Sequence, residues 1–419
     1  MTRYLCVLIG TLFSVLLITA QPGLAAPDCG MNTGKEATGT PIPIGTVTSA
    51  SGVGSFHEAD LAVQAYFKCV NANGGIFGRP IVYYMEDDQS KLDVAAQAAK
   101  KLVEDVGVYA LIGSTSFIEC IANGAYYAKN NVLEIGEGIP PQCFESKNIA
   151  AVNAGARQSG IAMADYARRA LGAKSVVCTV AKRPGTEYLC GGVEQWGKKF
   201  GVKVTSIYSD PVTPDYNSLV LQLMASGADT AVVYGTQDVG IQILSAVEQQ
   251  DGSATMKWSA PTSYYTTKFP KAVDGKYWDN KFWVNIEAAP LYSTGPDNQN
   301  WWAVEKAYGG KDDLLDSFAQ LGYVAARIAV NAMLSIGDGA KVNRETVTAA
   351  IQNMKPYQSD ILCKPWYWGG PDAQVHNANH TTRIVTISGG EWKEVEGCVV
   401  STDPGLEAVL EVEKKLSLN

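Results

Sequence analysis

The chain has 419 residues, 46% of them hydrophobic and 18% charged, with a formal net charge of −8. That is enough apolar material for one large or two medium cores. The acidic balance excludes a nucleic-acid-binding face, which has to be basic to meet phosphates.

Met1-Thr2-Arg3 is a short positive start, 4–18 is a nearly unbroken apolar run, and small residues follow at Ala25-Ala26. This is the anatomy of a secretory leader. The run is shorter than the roughly 20 residues a spanning helix needs. Pro27 disfavours a cut after Ala26, so residues 1–25 are expected to be removed. Cys29 follows Ala26-Pro27-Asp28 and lacks the box of a lipid-modified cysteine. The expected location is the periplasm, with a soluble, unanchored mature protein.

Beyond a polar segment, 41–47 reads as a strand, 48–56 as a Ser/Gly loop and 58–73 as a helix ended by Gly74-Gly75. A strand (80–85), a helix (92–106), a strand (109–112), a helix (116–130) and a strand (132–135) follow. After a turn-rich stretch the alternation restarts. Helices are expected at 160–171, 187–200, 216–225 and 239–249, and strands at 175–180, 202–208, 230–234 and 257–260. Repeated alternation implies parallel sheets covered by helices. Long helices are expected at 316–333 and 345–353, and a final strand pair at 382–388 and 391–395 around Gly389-Gly390.

Signatures of chemistry are missing. There is no G-x-S-x-G elbow, H-E-x-x-H, S-x-x-K box or Walker loop. Gly52-Val-Gly54 lacks the third glycine of a dinucleotide turn. His57, His376 and His380 form no ligand cluster, and there is no CxxC. The reading is therefore a non-enzyme without metal or cofactor. His376 and His380 are expected to be solvated, and Glu86-Asp87-Asp88 to end a strand, face water and cap the next helix. Of nine cysteines, Cys6 lies in the leader; the other eight suggest disulfides, with a connectivity the sequence leaves open.

The run NANGGIFGRP at 71–80, the YMEDDQ at 84–89 and AAQAAKKLVEDVGVYALIG at 95–113 carry a family pattern. So do Asp215-Tyr216 with Leu219, and Gly227-Ala228-Asp229. In order and spacing the chain resembles the type I periplasmic substrate-binding proteins of branched-chain amino acid ABC transporters, over about 42–399. The resemblance implies an α/β fold of two Rossmann-like lobes with parallel sheets, joined by three hinge crossovers. Lobe one is expected at 42–155 and 287–361, lobe two at 156–286 and 362–400, with 401–419 a C-terminal tail. It implies a monomer that captures a small organic solute between closing lobes and delivers it to an ABC permease and its ATPase subunits. The alternative is a sensor of the same fold signalling to a receptor. Proximity in such a fold suggests Cys120–Cys143, Cys178–Cys190 and Cys363–Cys398, with Cys29–Cys69 left over.

The resemblance places the ligand on strand-end loops: Ser55 and Phe56; Ser114, Ser116 and Phe117; Glu137 and Ile139; Tyr188; Thr236 and Gln237; Thr262 and Tyr265. The family's carboxylate-binding hydroxyl falls on Phe117, and its ammonium-binding acid falls on Thr262. Glu137 either replaces that acid or repels a carboxylate, and Ser114 and Ser116 either face the cleft or cap a helix. These departures argue against leucine, isoleucine or valine as the main ligand. An aromatic or other organic acid, an amide or an unusual amino acid is expected. Trp301, Trp302, Trp366 and Trp368 are expected in the core or on the lobe surface.

Overall fold

A computed structural model describes residues 26–52, 56–183, 185–311, 315–373, 376 and 379–418. The leader reading falls outside them, as does Ser55. The first half alternates β1 (Ile42–Thr48), α1 (Glu58–Ala72), β2 (Ile81–Asp87), α2 (Leu92–Lys100), β3 (Leu111–Thr115), α3 (Glu119–Asn130), β4 (Glu134–Glu137), the short α4 (Gln142–Glu145) and β5 (Ile149–Ala151). These strands form one parallel sheet in the order β2-β1-β3-β4-β5.

A second sheet starts after α5 (Ala156–Ala170). It comprises β6 (Ser175–Ala181), α6 (Glu187–Phe200), β7 (Lys203–Ser209), α7 (Tyr216–Ala225), β8 (Thr230–Val233), α8 (Gln237–Gln249), β9 (Lys257–Ala260), the short α9 (Phe269–Ala272) and β10 (Phe282–Ile286). After α10 (Pro296–Tyr308), α11 (Ser317–Ser335) and α12 (Arg344–Asn353), the chain adds β11 (Thr381–Ser388), β12 (Glu391–Val400) and α13 (Glu407–Lys415). The order is β12-β11-β10-β9-β8-β6-β7, with β11 and β12 antiparallel at one edge. Gly389 and Gly390 both have positive φ, which a two-residue hairpin turn of this twist requires.

The late helix α11 returns to the first sheet, packing on α1, β3 and β4. Its Gly322 makes the approach close: a Cβ there would lie 2.2 Å from the Ala59 carbonyl oxygen of α1. Disulfides join Cys29–Cys69, Cys120–Cys143, Cys178–Cys190 and Cys363–Cys398. Trp301, Trp366 and Trp368 are fully buried.

Several elements differ from the sequence expectation. β5, β10 and α10 were not anticipated, and the tail forms α13. A five-residue, mostly apolar run like 282–286 is too short for its periodicity to separate strand from buried helix. α10 opens with Pro-Asp-Asn-Gln-Asn, in which the Asp and the two Asn are weak helix formers. Its first turn is held from afar, because the Asp297 N–H donates to the Asp360 carboxylate at 2.7 Å. α13 is anchored by buried Glu413, which meets Lys364 Nζ at 3.1 Å and His380 Nε2 at 3.2 Å.

Candidate functional site

In open parallel sheets a crevice forms at the carboxyl ends of strands where the order reverses. In the first sheet β2 and β3 flank β1, and in the second β7 and β8 flank β6, so each sheet has such a point. The loops after β1, β3, β4, β6, β8 and β9 carry the sequence-predicted residues.

In the first sheet, two serines are used within the wall. Ser114 Oγ donates to the Val47 carbonyl of β1. Ser116 Oγ donates to Asp88 Oδ2 at 2.5 Å and accepts the N–H groups of Ile118 and Glu119 at 3.1 and 3.0 Å. It thus serves the start of α3, the capping alternative. Asp88 is not solvated as expected but buried. It also receives Ser49 Oγ at 2.8 Å and the Ser90 N–H at 2.7 Å, and converging donors are what permit a carboxylate inside. Phe117 is half-buried and looks toward the other sheet's loops: a Cβ on Gly185 would sit 3.5 Å from its ring. Phe56 packs edge-on against Phe318 at 5.4 Å between ring centres.

From the second sheet, half-buried Tyr188 in the first turn of α6 donates its hydroxyl to the Ile139 carbonyl after β4, closing the gap between the two sets of loops. Thr236 is half-buried just before α8 and makes no side-chain cap bond; Gln237 accepts from Thr266 Oγ1. Thr262 is buried, with no hydrogen-bond partner for its hydroxyl among the described residues. Tyr265 corrects the expectation. It is fully buried, its hydroxyl accepts the Leu291 N–H at 2.9 Å, and its ring lies against Trp392. The short helical turn at Thr262–Tyr264 leads it into the packing beneath the loop instead of the cleft.

The structure also assembles four acids of which the sequence reading named one. Glu137 ends β4, Glu58 opens α1, Asp316 precedes α11 and Glu287 follows β10. Burial pushes every one of these carboxyls above its ordinary range. For Glu137 the nearby charges of Asp316, Glu287 and Glu58 push further in the same direction. Glu287 is stitched to the first crossover: its carboxylate accepts the N–H groups of Ala154 (2.8 Å) and Gly155 (3.2 Å) and the Ser159 hydroxyl. Its carbonyl accepts Asn379 Nδ2 at 2.8 Å. The N-terminal positions of Glu58 and Asp316 are visible in sequence as helix-start acids, but nothing local places them together.

A second acid pair, Glu119 and Glu134, is buried with Cys120 close by. Cys120 is in a disulfide, so it offers no thiolate to a metal. Burial pushes both carboxyls up, Glu119 to about 7. His376 and His380 are buried, not solvated. His376 bridges the carbonyls of Trp368 (2.8 Å) and Lys147 (2.6 Å), and burial lowers its pKa.

A pH dependence follows from these signs. A carboxyl raised in the folded state adds stability below its unfolded pKa, and loses it as pH rises through the folded value. His376 acts oppositely, costing stability as pH falls below its ordinary 6.5. The raised carboxyls outnumber it. The ligand-free protein is expected to melt higher at about pH 5.5 than at about pH 7.5, with Glu119 alone contributing up to about 1.4 kcal/mol per pH unit. Glu119→Gln flattens that slope. A melting temperature that falls over this interval contradicts the assignment.

A shallow groove of about 510 Å³ between α7 and α8, lined by Asp215, Tyr216, Ile241 and Gln249, contains none of the site residues predicted from the sequence. Among the described residues no helix is long and apolar enough to cross a membrane.

Comparison with known proteins agrees with this geometry. A family model described as periplasmic binding protein matches residues 41–391. A Pseudomonas aeruginosa protein named amino acid binding protein is 23% identical over 304 residues, 71% of this chain and 78% of its own. A fatty acid ABC transporter substrate-binding protein from Thermomonospora curvata superposes with a TM-score of 0.73 at 18% identity, covering 89% of this chain and 95% of that one. An ABC transporter solute-binding protein from R. palustris, in complex with 4-hydroxybenzoate, gives 0.70 at 16% identity, covering 88% and 99%. At such identities these structures speak to the fold alone.

Proposed function

The chain belongs to the periplasmic binding protein family, and from that membership we propose that it is the extracytoplasmic solute-binding protein of an ABC importer. In this reading it works as a monomer outside the cytoplasm after loss of residues 1–25. It encloses a small organic solute between lobe one (42–155, 287–361) and lobe two (156–286, 362–400), and presents the closed form to a permease. Ligand binds the closed arrangement better than the open one, and that differential affinity drives closure.

The observation that carries the reading is the apposition of strand-end loops from both sheets: the Tyr188 hydroxyl on the Ile139 carbonyl, and the Phe117 ring facing Gly185. In this reading, closure of the two halves is what brings these groups together. The described site offers no nucleophile–base pair, and the family is one of binding proteins. The neighbours' named ligands, an amino acid, a fatty acid and an aromatic acid, are consistent with a site rebuilt for each solute.

A thermal-shift screen of amino acids, amines, aromatic acids and amides, followed by small-angle scattering, tests the reading. A true ligand at about 100 times its Kd raises stability by about 2.7 kcal/mol and makes the protein more compact. Phe117→Ala should weaken that ligand roughly tenfold, about 1.4 kcal/mol, without unfolding the protein. Unchanged affinity removes Phe117 from the site.

A further inference from the structure

Glu137 differs from the acids around it. It is only 3% exposed, and among the described residues neither of its carboxylate oxygens has a hydrogen-bond partner. Its companions are all served. Asp316 accepts the Ala319 N–H at 2.8 Å, Glu58 accepts the His57 N–H at 2.9 Å, and Glu287 has three donors. The charged groups acting on Glu137 are carboxylates. A buried carboxyl at the carboxyl end of a cleft strand, with nothing to pair it, is strongly disfavoured unless a ligand completes it.

Building on the solute-capture reading, we infer that the ligand is a small organic cation, an amine or quaternary ammonium of net positive charge, whose nitrogen seats on the Glu137 carboxylate. A carboxylate ligand would add another acid to the neighbourhood of Glu58, Glu137, Glu287 and Asp316, raising these groups further and supplying no counter-charge. Nor are Ser114 and Ser116, the hydroxyls the resemblance placed there, free to receive one, because both are turned into the wall. A neutral ligand leaves Glu137 without a counter-charge. The edge-on pair Phe56 and Phe318 stands two residues from Glu58 and Asp316 along the chain, the kind of aromatic surface that attracts a cation. On the facing loop the buried Thr262 hydroxyl also has no partner among the described residues, and the acid that the family resemblance would place there is replaced from the opposite wall. Burial and the neighbouring acids raise the Glu137 carboxyl, so a cation that favours its charged form is linked to proton release.

The test is isothermal titration of the purified protein at roughly pH 7.5 with putrescine, choline, phenethylamine, L-leucine, benzoate and benzamide. The expected result is that the tightest of the six is a cation, and that its heat varies with the ionisation enthalpy of the buffer, the sign of proton release. Glu137→Gln should cost that cation at least about tenfold in affinity, on the order of a hundredfold, since a buried charge pair is removed. The same variant should melt at a higher temperature when empty, which separates lost recognition from misfolding. If L-leucine, benzoate or benzamide binds most tightly, or if Glu137→Gln costs less than tenfold, the cation inference falls while solute capture stands. If none of the six binds and none compacts the protein in scattering, solute capture falls and the cation inference with it.

Discussion

Under reducing conditions the protein is expected to lose its folded state near 37 °C. The four disulfides span sequence separations of 40, 23, 12 and 35 residues. The loops follow one another along the chain and none encloses another, so their constraints on the unfolded chain act almost independently. Loop-closure entropy assigns roughly 3–4 kcal/mol to each. Together that is comparable to the whole stability of an ordinary folded protein, about 5–15 kcal/mol. Thermal melts by circular dichroism with and without reductant should differ by more than about 10 °C. Among paired Cys→Ser variants, removal of the 12-residue loop of Cys178–Cys190 should be mildest and the 40-residue loop of Cys29–Cys69 costliest. A reduced protein melting within a few degrees of the oxidised one contradicts this account.

Glu287→Ala is expected to destabilise the protein by about 3–5 kcal/mol. Its carboxylate is the acceptor for two buried backbone N–H groups, Ala154 and Gly155, and for the Ser159 hydroxyl. Truncation leaves those donors without a partner in a place water does not reach, and each orphaned group costs about 1–3 kcal/mol. It also removes a negative charge from the start of α5, where the helix dipole favours one. No side-chain replacement at Gly155 offers relief: its φ is +90°, and a Cβ there would lie 2.5 Å from the Phe144 ring. Urea unfolding should show a lowered midpoint at unchanged slope. Hydrogen exchange at Ala154 and Gly155 should accelerate, marking a loosened crossover. Glu287→Gln keeps an acceptor oxygen and should lose distinctly less. Equal losses for the two variants would mean that packing, and not hydrogen bonding, is what Glu287 provides.

Much of the architecture was legible because its signals are local. The Gly74-Gly75 stop, the Asp215 cap, whose side chain accepts the Ser218 N–H at 3.0 Å, and the Gly389-Gly390 hairpin each act within a few residues. The strand-end loops were legible for the same reason. The functions of individual side chains within them were less so. Ser116 proved to be a cap and a partner of Asp88, and Tyr265 turned into the packing on Trp392, because a loop's direction depends on what it packs against. His376 and His380 looked solvated among polar neighbours. They are buried because His376 lies against the Lys147 carbonyl and His380 against Glu413 of α13.

By itself the sequence determined the alternation of strands and helices, the parallel sheets, the family, and the loops in which a ligand is to be sought. Hydrophobic period, capping and turn chemistry are properties of neighbours in the chain. Only the tertiary structure brought Glu58, Glu137, Glu287 and Asp316 into one electrostatic neighbourhood, left Glu137, alone of these four, without a hydrogen-bond partner among the described residues, and set Tyr188 on Ile139. Those relations join residues far apart in the chain. Whether a buried acid is satisfied or waiting depends on which donors the folding of distant segments delivers to it.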